Sequence, residues 1–367
     1  MNFDNVKKKL GFGLMRLPMK NDEVDTQAVN RMVDAFLDAG FNYFDTAHGY
    51  IDGKSEKAVK TCLSSRHPRE SYILANKLSD WYFEKEEDIV PLFESQLEIC
   101  GVEYFDFYLF HAVNRNSYEK YKSCNAFSVV KKLHQEGKVR HIAMSFHDTA
   151  DVLDKILSEQ PDIEAVQLQM NYLDYDDPGV QSDACYNVAV SHGKKVIVME
   201  PVRGGLLANL SPAAGKVFDE LSGGSHASYA IRYAASYSEV FMVLSGMGNM
   251  EMITDNIGYM KDFVPLSEEE RGATDKVREI IREEKQIKCT KCNYCAEVCP
   301  KNIPISGIFE AYNGFLAAKT TKDGAKENLP QSECGAGDCL LCGACEKICP
   351  QNIEIREHLK KIAEDLK

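Results

Sequence analysis

CTKCNYCAEVCPKNIPI (289–305) and CLLCGACEKICPQNIEI (339–355) decide the fold of the last eighty or so residues of this chain. The two stretches are copies of one unit set fifty residues apart, and each ends in Cys-Pro-x-Asn-Ile-x-Ile. Each copy has the spacing C-x2-C-x2-C-x3-C-P, in which three closely spaced thiolates hold one iron-sulfur cluster and the fourth reaches the neighbouring cluster. The repeat therefore predicts a small domain that binds two four-iron, four-sulfur clusters.

The exchanged fourth cysteine determines the predicted ligands. One cluster is expected to be held by Cys289, Cys292, Cys295 and Cys349, and the other by Cys339, Cys342, Cys345 and Cys299. Zinc is the alternative metal, but zinc ribbons pair two C-x2-C knuckles and need neither a third cysteine, a trailing Cys-Pro nor a doubled copy. Cys334 lies outside both motifs, and we interpret it as a spare thiol in the intervening loop.

The distribution of the other cysteines marks a domain boundary. Of thirteen cysteines, nine lie in the last 79 residues, and the four that precede them are Cys62, Cys100, Cys124 and Cys185. In a cytosolic chain such a density indicates metal binding rather than disulfides, because the compartment keeps thiols reduced. We interpret the four upstream cysteines as small buried hydrophobic residues.

The upstream region alternates β-rich runs with amphipathic helical stretches. The predicted strands are 10–15, 41–46, 72–77, 106–111, 141–146, 165–170, 195–200 and 241–245. Eight strand-helix units over about 250 residues predict an α/β fold, the (β/α)8 or TIM barrel. An open doubly wound sheet would more often show a G-x-G-x-x-G turn after its first strand, and none follows residues 10–15.

The first predicted helix illustrates the pattern. Asp25 is placed to cap it, Gly40 is placed to end it, and the apolar residues between them recur at helical spacing, namely Val29, Met32, Val33, Phe36 and Leu37. We therefore predict a barrel over 1–265, a helical connector over 266–287 and a small α-helical, ferredoxin-like two-cluster domain over 288–367.

Charge and hydropathy limit the partners. The net charge is -13 and the sequence has no basic tract, which disfavours nucleic acids and anionic membrane surfaces. No apolar h-region follows the first lysines, and no run of eighteen apolar residues occurs. We expect a cytoplasmic protein that does not contact a membrane.

Four reactive side chains fall where a barrel enzyme places its active site, at the C-terminal ends of the strands. Asp45 ends the second predicted strand, Lys77 ends the third and His111 ends the fourth. Tyr50 follows Asp45 by five residues, in the loop after the second strand. We predict that these four residues are catalytic.

The stretches around them resemble the signatures of a known family. FDTAHGYIDGKSE (44–56), ILANKLS (73–79) and DFYLFH (106–111) are similar to those of the aldo-keto reductases, and the resemblance covers roughly residues 8 to 262. With its tail, the chain resembles the branch of that family that carries an appended ferredoxin-type domain. The resemblance implies an oxidoreductase that interconverts a carbonyl and an alcohol with a nicotinamide cofactor.

The chemistry of carbonyl reduction requires these residue types. Hydride transfer leaves an alkoxide, which must receive a proton from a group held against the oxygen. Tyr50 is the candidate acid, and the Lys77 ammonium would lower its pKa by stabilising the phenolate. Asp45 would hold Lys77 by a charge-assisted hydrogen bond. The resemblance implies that His111 orients the carbonyl by donating a hydrogen bond.

The resemblance also implies a cofactor site. It places Ser145 and Gln167 against the nicotinamide carboxamide, and Met15 and Arg16 near the end of the first strand. The family's usual asparagine after the serine is absent, because the chain reads Ser-Phe-His here. Either His147 substitutes for that asparagine or the contact is lost.

Two further segments match the parts of the family that hold the nucleotide. EPVRGGLL (200–207) would present its backbone to the pyrophosphate, through Glu200, Pro201, Arg203, Gly204 and Gly205. SGMGNMEMITDN (245–256) would hold the adenosine half, through Gly246, Met247 and Asn256. Many relatives carry a lysine and an arginine for the 2′-phosphate where this chain has Gly246 and Met252, so NADP and NAD both stay open.

The predicted clusters leave more than one function open for the whole chain. Nicotinamide moves two electrons as hydride and a cluster moves one, so direct exchange needs an intermediary such as a flavin. Three accounts of the clusters stay open: they are structural or redox-sensing, they feed an external ferredoxin through a flavin or a partner, or the barrel has exchanged nicotinamide for flavin. No sequence feature establishes a flavin site. The alternatives to a carbonyl reductase are an electron-transfer or redox-sensing protein with little turnover, and a regulatory subunit that senses nicotinamide. Expected partners are a small-molecule carbonyl substrate and a ferredoxin or other electron carrier.

The loop expected to select the substrate, 112–128, has no charge pattern that indicates a substrate class. Its aromatic residues, Tyr118, Tyr121 and Phe127, either line a pocket or pack in the core. Their helical spacing favours the core.

Overall fold

The computed structural model describes residue 3, residues 5–221 and residues 223–366. Within these residues, eight parallel strands follow one another in chain order around a closed barrel. They are β1 (Leu10–Gly13), β2 (Tyr43–Asp45), β3 (Ile73–Leu78), β4 (Phe105–Val113), β5 (Val139–Phe146), β6 (Ala165–Gln169), β7 (Lys195–Met199) and β8 (Val240–Ser245). The predicted (β/α)8 fold is confirmed.

The strand ends differ from the prediction at the start of the barrel. The predicted strand over 10–15 is too long, because Leu14–Arg16 form a 3-10 turn that leads the chain away from the sheet. The predicted strand over 41–46 shortens to the three residues of β2. A short antiparallel hairpin, Met19–Lys20 with Glu23–Val24, was not predicted. It turns through Asn21 and Asp22, whose φ values of 52° and 62° suit a two-residue turn.

Helices connect the barrel strands. They are α1 (Thr26–Asp38), α2 (Lys54–Val59), α3 (Ile89–Cys100), α4 (Arg115–Ser123), α5 (Ala126–Gln135), α6 (Ala150–Glu159), α7 (Ser182–Ser191), α8 (Pro212–Asp219), α9 (His226–Ala235) and α10 (Met250–Met260). The Asp25 carboxylate caps α1 by accepting a hydrogen bond from Ala28 N, and Gly40 follows its end with φ of 84°. The limits predicted for this helix are confirmed.

Side chains fill the inside of the barrel. Tyr43, Phe107 and Met242 are among the fully buried residues that pack there. The Phe3 ring joins this cluster, with its centroid 5.1 Å from that of Phe107 and 4.6 Å from that of Phe241. The barrel interior is therefore a hydrophobic core, and the strand ends are free to carry a site.

Contacts divide the chain into two compact units, which we describe separately. The barrel unit comprises Met1–Pro201 and Ile231–Pro265, and the second unit comprises Val202–Ala230 and Leu266–Lys367. The domain limits given by the sequence stay a prediction, because this division assigns part of the predicted barrel to the second unit.

The second unit contains the cysteine-rich tail. Its helices beyond α9 are α11 (Glu268–Glu283), α12 (Tyr294–Glu297), α13 (Ile305–Leu316), α14 (Lys322–Glu327), α15 (Ala344–Lys347) and α16 (Ile355–Asp365). The predicted connector is α11, which begins with a capping box between Ser267 and Glu270 and packs on α8. Isoleucine, phenylalanine and leucine side chains of α13 and α16 form the unit's hydrophobic core.

The two cysteine copies have the same backbone conformation. Short helices α12 and α15 occupy corresponding positions in the two copies. Left-handed residues also recur fifty positions apart, in the pairs Lys291 and Leu341, Asn293 and Gly343, and Asn302 and Asn352. The sequence repeat is thus a structural repeat.

No helix within the described residues is both long and apolar enough to cross a membrane.

Candidate active site and cluster cavities

Lys77 and Asp45 form a buried ion pair at the C-terminal end of the barrel. Lys77 Nζ donates to Asp45 Oδ1 at 2.6 Å and to the Thr46 carbonyl at 2.8 Å. The Lys77 side chain is about 1% exposed and that of Asp45 about 4%. The two residues lie on neighbouring strands β2 and β3, so the barrel itself fixes their separation.

The Tyr50 ring lies against this pair and against His111. Lys77 Nζ is 4.6 Å from the centre of the Tyr50 ring. The centroids of the Tyr50 and His111 rings are 6.0 Å apart, with the ring planes at 75°. Tyr50 is half-buried, whereas His111 and Lys77 are buried. The structure therefore brings together all four residues that the sequence nominated as catalytic.

Second contacts hold His111 in place. Ser79 Oγ is 2.6 Å from His111 Nδ1, which leaves Nε2 as the other polar atom of the ring. The Tyr121 hydroxyl oxygen lies 2.6 Å from the Leu78 carbonyl oxygen and 2.9 Å from that of His111, so its one proton is donated to one or the other, and it accepts from His111 N. A bulge follows, in which Ala112 has φ of 52° and its N–H donates to Ser145 Oγ at 2.8 Å. These contacts fix both the ring and the strand end.

Burial perturbs the pKa values of the site. It lowers the pKa of Lys77 and raises that of Asp45, and the attraction within the pair opposes both shifts. Burial, together with the charge of Lys77 and the proximity of His147, lowers the pKa of His111 well below its ordinary value. His111 is therefore a neutral imidazole near pH 7, able to donate a hydrogen bond through one nitrogen.

A buried polar network behind Lys77 was missed by the sequence analysis. Glu56 is fully buried, and its Oε1 accepts from Asn76 Nδ2 at 2.7 Å and from Gln96 Nε2 at 3.1 Å. Its Oε2 lies 2.8 Å from His48 Nδ1. Gln96 Nε2 also donates to the Lys77 carbonyl, at 3.0 Å. Glu56 is the last residue of the signature stretch 44–56, and its place in that stretch is the sequence feature that could have indicated a role at the site.

Two aromatic side chains lie beside His111 and His48. Trp81 and Tyr82 lie in the 3-10 turn Asp80–Tyr82 after β3 and are 38% and 39% exposed. The centroid of the Trp81 ring is 5.0 Å from that of His111, and the centroid of Tyr82 is 4.7 Å from that of His48. Both residues were missed, although their place after a barrel strand could have indicated them.

The aromatic residues of the 112–128 loop pack in the core, as their spacing favoured. Tyr118 and Tyr121 are buried. The Phe127 ring packs with its centroid 4.3 Å from that of Phe110. The four upstream cysteines are likewise buried, and burial raises the pKa of Cys62 to about 11 and that of Cys185 to about 12.

The residues nominated for the nicotinamide lie at the same end of the barrel. Ser145 is the last residue but one of β5, Gln167 lies two residues before the end of the neighbouring strand β6, and the two are paired in register. Gln167 is buried, and its side chain hydrogen-bonds Asp45. This hydrogen bond lowers the pKa of the Asp45 carboxyl, whereas burial raises it. His147 follows β5, is partly buried, and has its pKa lowered to about 4 by burial.

Other nominated residues of the barrel unit gather where β1, β7 and β8 end. Met15 and Arg16 lie in the 3-10 turn after β1, and Arg16 is 3.9 Å from the Glu200 carboxylate. A Cβ on Gly246 would lie 3.1 Å from Arg16 Cδ, which is a tight contact. Because Gly246 has no side chain, the Arg16 side chain can pack directly on the backbone that follows β8. Asn256 Nδ2 donates to Ser245 Oγ at 2.8 Å. Pro201 and Met247 flank this region, and Met247 is buried.

This arrangement suits an anionic dinucleotide. It supplies a guanidinium, a glycine that permits close approach, and hydroxyl and amide groups at adjacent strand ends.

The remaining nominated residues belong to the second unit. Arg203, Gly204 and Gly205 form a 3-10 turn with φ values of 48°, 64° and 95°. A Cβ on Gly204 would lie 2.4 Å from the Thr290 carbonyl oxygen, which means that the turn packs on the backbone beside Cys289. Arg203 is buried.

The eight nominated cluster cysteines line two cavities found among the described residues. The first cavity is lined by Cys289, Cys292, Cys295 and Cys349. The second cavity is lined by Cys299, Cys339, Cys342 and Cys345. Each cavity thus combines three cysteines of one copy with the fourth of the other, and Cys334 lines neither. Isoleucine side chains complete the walls, so the donor set and the apolar surround fit four-iron clusters.

The thiols themselves are consistent with a cluster site. None of the thirteen cysteines, all of which are described, forms a disulfide. No three histidine, cysteine, aspartate or glutamate side chains of the described residues meet at the spacing of a single metal ion.

Family profiles cover both parts of the chain. The profile of the aldo/keto reductase family matches residues 9–279. The chain belongs to the aldo/keto reductase family. A second profile, for a 4Fe-4S dicluster domain, matches residues 288–354. This aldo/keto reductase therefore carries a C-terminal 4Fe-4S dicluster domain, as its sequence resemblance implied.

Individual relatives match over shorter stretches. An aldo-keto reductase of Mycolicibacterium smegmatis is 29% identical over 147 residues, which are 40% of this chain and 48% of the relative. The chain thus spans about half the length of that curated relative.

Solved structures show the same fold. The holo form of an aldo-keto reductase from Bacillus halodurans superposes with a TM-score of 0.62 at 24% identity, over 74% of this chain and 92% of that one. An aldo/keto reductase from Klebsiella pneumoniae, in complex with NADP and acetate, gives 0.60 at 18% identity, over 73% and 90%. At these identities the likeness concerns the barrel fold.

Proposed function

We propose that this aldo/keto reductase family member is a nicotinamide-dependent oxidoreductase that interconverts a small-molecule carbonyl and an alcohol. The observation that carries the proposal is the contact of Lys77 with Tyr50 on one side and with Asp45 on the other, next to His111. A tyrosine, a buried ammonium and a neutral imidazole in contact with one another are the groups that carbonyl reduction requires.

The proposed reaction assigns each side chain one task. A bound nicotinamide supplies the hydride. Tyr50 Oη donates its proton to the carbonyl oxygen as negative charge develops there, and Lys77 stabilises the resulting phenolate. Asp45 holds the Lys77 ammonium in place through their 2.6 Å contact. In the reverse direction the phenolate accepts the proton of the alcohol.

His111 orients the substrate. The lowered pKa of His111 keeps the ring neutral, so it adds no charge beside Lys77. In the tautomer in which the Ser79 hydroxyl donates to Nδ1, the proton of the ring lies on Nε2, from which it would be donated to the carbonyl oxygen. Trp81 and Tyr82 would exclude water and contact the rest of the substrate.

NADP and NAD are both retained as cofactors. The Klebsiella pneumoniae relative is described in complex with NADP, which supports a nicotinamide nucleotide in this family. Arg16, beside Gly246, supports an anionic ligand at the end of β8. By the family resemblance, Met252 occupies a position where many relatives carry a basic residue that binds the 2′-phosphate of NADP. Met252 is 46% exposed and uncharged, so this position gives no reason to prefer NADP over NAD.

We further propose two [4Fe-4S] clusters in the C-terminal domain, one in each cysteine-lined cavity. Each cluster moves single electrons, so the domain would exchange electrons with a ferredoxin or similar carrier, or would sense the redox state. The high density of cysteines in the last 79 residues supports the predicted cytoplasmic compartment, in which thiols stay reduced and bind metal.

The test is steady-state reduction of a carbonyl panel by anaerobically purified protein, with NADH and NADPH assayed separately. The proposal expects turnover of at least one carbonyl with at least one nucleotide, and about eight irons per chain, since two four-iron clusters are proposed. Absence of turnover across the panel contradicts the barrel reaction. Tightly bound flavin released on denaturation would contradict the choice of cofactor, and about four irons would contradict the second cluster.

A further inference from the structure

The two copies of the cysteine unit can be compared position by position, because they repeat with a shift of fifty residues. Each cavity is lined by residues from both copies. Lys301 lines the second cavity, and its counterpart Gln351 lines the first. Arg356 lines the second cavity as well, and its counterpart Ser306 lines the first. These two pairs of equivalent positions show how the surroundings of the two clusters would differ.

Both pairs change the charge in the same direction. The second cavity has a lysine and an arginine at these positions, whereas the first has a glutamine and a serine. None of the described residues that line either cavity is acidic. The described wall of the second cavity therefore carries two positive charges, and that of the first carries none.

Contacts with the cysteine loop hold the Arg356 guanidinium at the second cavity. A Cβ on Gly343, which lies between the nominated ligands Cys342 and Cys345, would be 3.5 Å from the central guanidinium carbon and 3.6 Å from Nη1. The same Nη1 donates to the Leu341 carbonyl at 3.3 Å. The guanidinium thus lies against the backbone that carries three of the four nominated ligands of this cavity.

Glu346 holds another side of the guanidinium. Its Oε2 accepts from Arg356 Nε at 2.8 Å and lies 2.7 Å from Nη2, and its Oε1 accepts from Arg356 N at 2.9 Å. Arg356 lines the second cavity and Glu346 does not, so the positive end of this ion pair is the end at the cavity. The Arg356 side chain is 44% exposed, which means that water and salt screen part of its charge.

The first copy has a neutral contact at the corresponding place. Ser306 Oγ donates to Oδ1 of Asn293, which is the counterpart of Gly343. Both Ser306 and Asn293 line the first cavity. An uncharged hydrogen bond in the first copy is therefore replaced by a charged group in the second.

A cluster bound by four thiolates is an anion, and its net charge and surroundings set its reduction potential. We infer that Lys301 and Arg356 make the cluster of the second cavity the first of the two to be reduced. Reduction adds one electron and therefore one negative charge, which neighbouring cations stabilise. A single electron delivered to the domain is then held in the second cavity. This inference rests on the proposed function, since it requires a cluster in each cavity.

The test is an anaerobic redox titration of the full chain with dithionite as the electron donor, followed by electron paramagnetic resonance. Wild type is compared with Arg356→Gln, Lys301→Gln and the double variant, which remove one or both charges from the second cavity. Lys360→Gln is the control, because it removes a charge from an exposed position of α16 that lines neither cavity.

We expect two midpoint potentials in the wild type. Each single variant should move the higher potential to a more negative value, and the double variant should move it by about the sum of the two shifts. The lower potential should stay unchanged in all variants, and the control should change neither. Arg356→Lys keeps the charge and should move the higher potential less than half as far as Arg356→Gln.

Ionic strength separates an effect of charge from an effect of packing. Both Lys301 and Arg356 are exposed, so the shifts should become smaller when the salt concentration is raised from about 0.1 M to about 1 M. A shift caused by repacking of the cysteine loop would be the same at both concentrations.

Other results would overturn the inference. They are a wild type in which both clusters are reduced at one potential, variants that move the lower potential or neither, and shifts that do not depend on salt. If Arg356→Gln loses iron, Lys301→Gln decides the question, because it removes none of the contacts that hold the cysteine loop. A wild type without a reducible iron-sulfur signal would instead contradict the proposed clusters themselves, so the two failures are distinguishable.

Discussion

Lys77 Nζ lies 4.6 Å from the centre of the Tyr50 ring. The same nitrogen donates to Asp45 Oδ1 at 2.6 Å, and the lysine side chain is almost completely buried. A positive charge held near a phenol stabilises the phenolate relative to the neutral form. The relationship links the barrel's core to its proposed chemistry.

Replacing Lys77 by methionine is expected to lower both activity and stability. The variant loses the charge that stabilises the Tyr50 phenolate, so kcat should fall about 100-fold or more. It also leaves the Asp45 carboxylate buried without its partner, which should destabilise the fold by about 3–5 kcal/mol. Steady-state kinetics and urea unfolding measure the two effects.

The double variant Lys77→Met/Asp45→Asn separates these effects. Because it removes both charges, it should regain part of the lost stability without regaining activity. A Lys77→Met variant with wild-type kcat, or a double variant no more stable than the single one, would contradict this account of the pair.

Glu56→Gln is expected to shift the pH dependence of activity. The charge of Glu56 raises the pKa of Lys77 against the effect of burial, so removing it should lower that pKa further. Deprotonation of Lys77 then begins at lower pH, and the alkaline limb of the kcat profile should move to lower pH. Glu98→Gln, at an exposed position of α3, is the control. A profile that coincides with wild type would remove Glu56 from the site.

Ser79→Ala tests the orientation of His111. The variant removes the 2.6 Å contact at Nδ1 and leaves a buried ring nitrogen unsatisfied. We expect kcat/KM to fall about tenfold, in line with the loss of about 1–3 kcal/mol for such a group. Ser71→Ala, whose exposed hydroxyl donates to the Pro68 carbonyl, should behave as wild type. Equal kinetics for both alanine variants would show that Ser79 does not position the ring.

The two site histidines should make the fold less stable in mild acid. Burial lowers the pKa of His147 to about 4 and that of His111 well below its usual range. Below about pH 6.5 these two histidines become protonated in the unfolded chain but stay neutral in the folded protein. The free energy of unfolding therefore falls as the pH falls. For His147 the slope should be about 1 kcal/mol per pH unit between pH 6.5 and 4.

His147→Asn provides the comparison. Its free energy of unfolding, measured with urea between pH 7.5 and 5, should depend less steeply on pH than that of wild type. Parallel curves for the two proteins would contradict the lowered pKa of His147.

Much of the fold could be predicted from the sequence because its signals are local. The eight strands are apolar runs, and α1 is bounded by Asp25 and Gly40, so both could be recognised without tertiary information. The end of β1 could not, because Leu14 remains apolar and buried after the chain has left the sheet. The hairpin at Asn21 and Asp22 is too short for a periodic signal.

The site was predictable to the extent that chain position determines it. Asp45, Lys77 and His111 lie at strand ends, and a barrel brings strand ends together. Apart from its place in the signature stretch 44–56, nothing local distinguishes Glu56, because a glutamate at the start of a helix is usually exposed and its burial depends on Asn76 and Gln96 from other elements. Similarly, nothing local to Gly204 indicates that it packs against Thr290, almost ninety residues away in the sequence.

The most direct test of the central claim is the rate of carbonyl reduction by Tyr50→Phe, measured in a single turnover with saturating nucleotide and the best substrate of the panel. Phenylalanine keeps the ring that packs against Lys77 and His111 but has no proton to donate. We predict a rate at least about 100-fold below that of wild type, with nucleotide binding unchanged. A Tyr50→Phe variant that reduces the carbonyl at the wild-type rate would contradict the proposed mechanism.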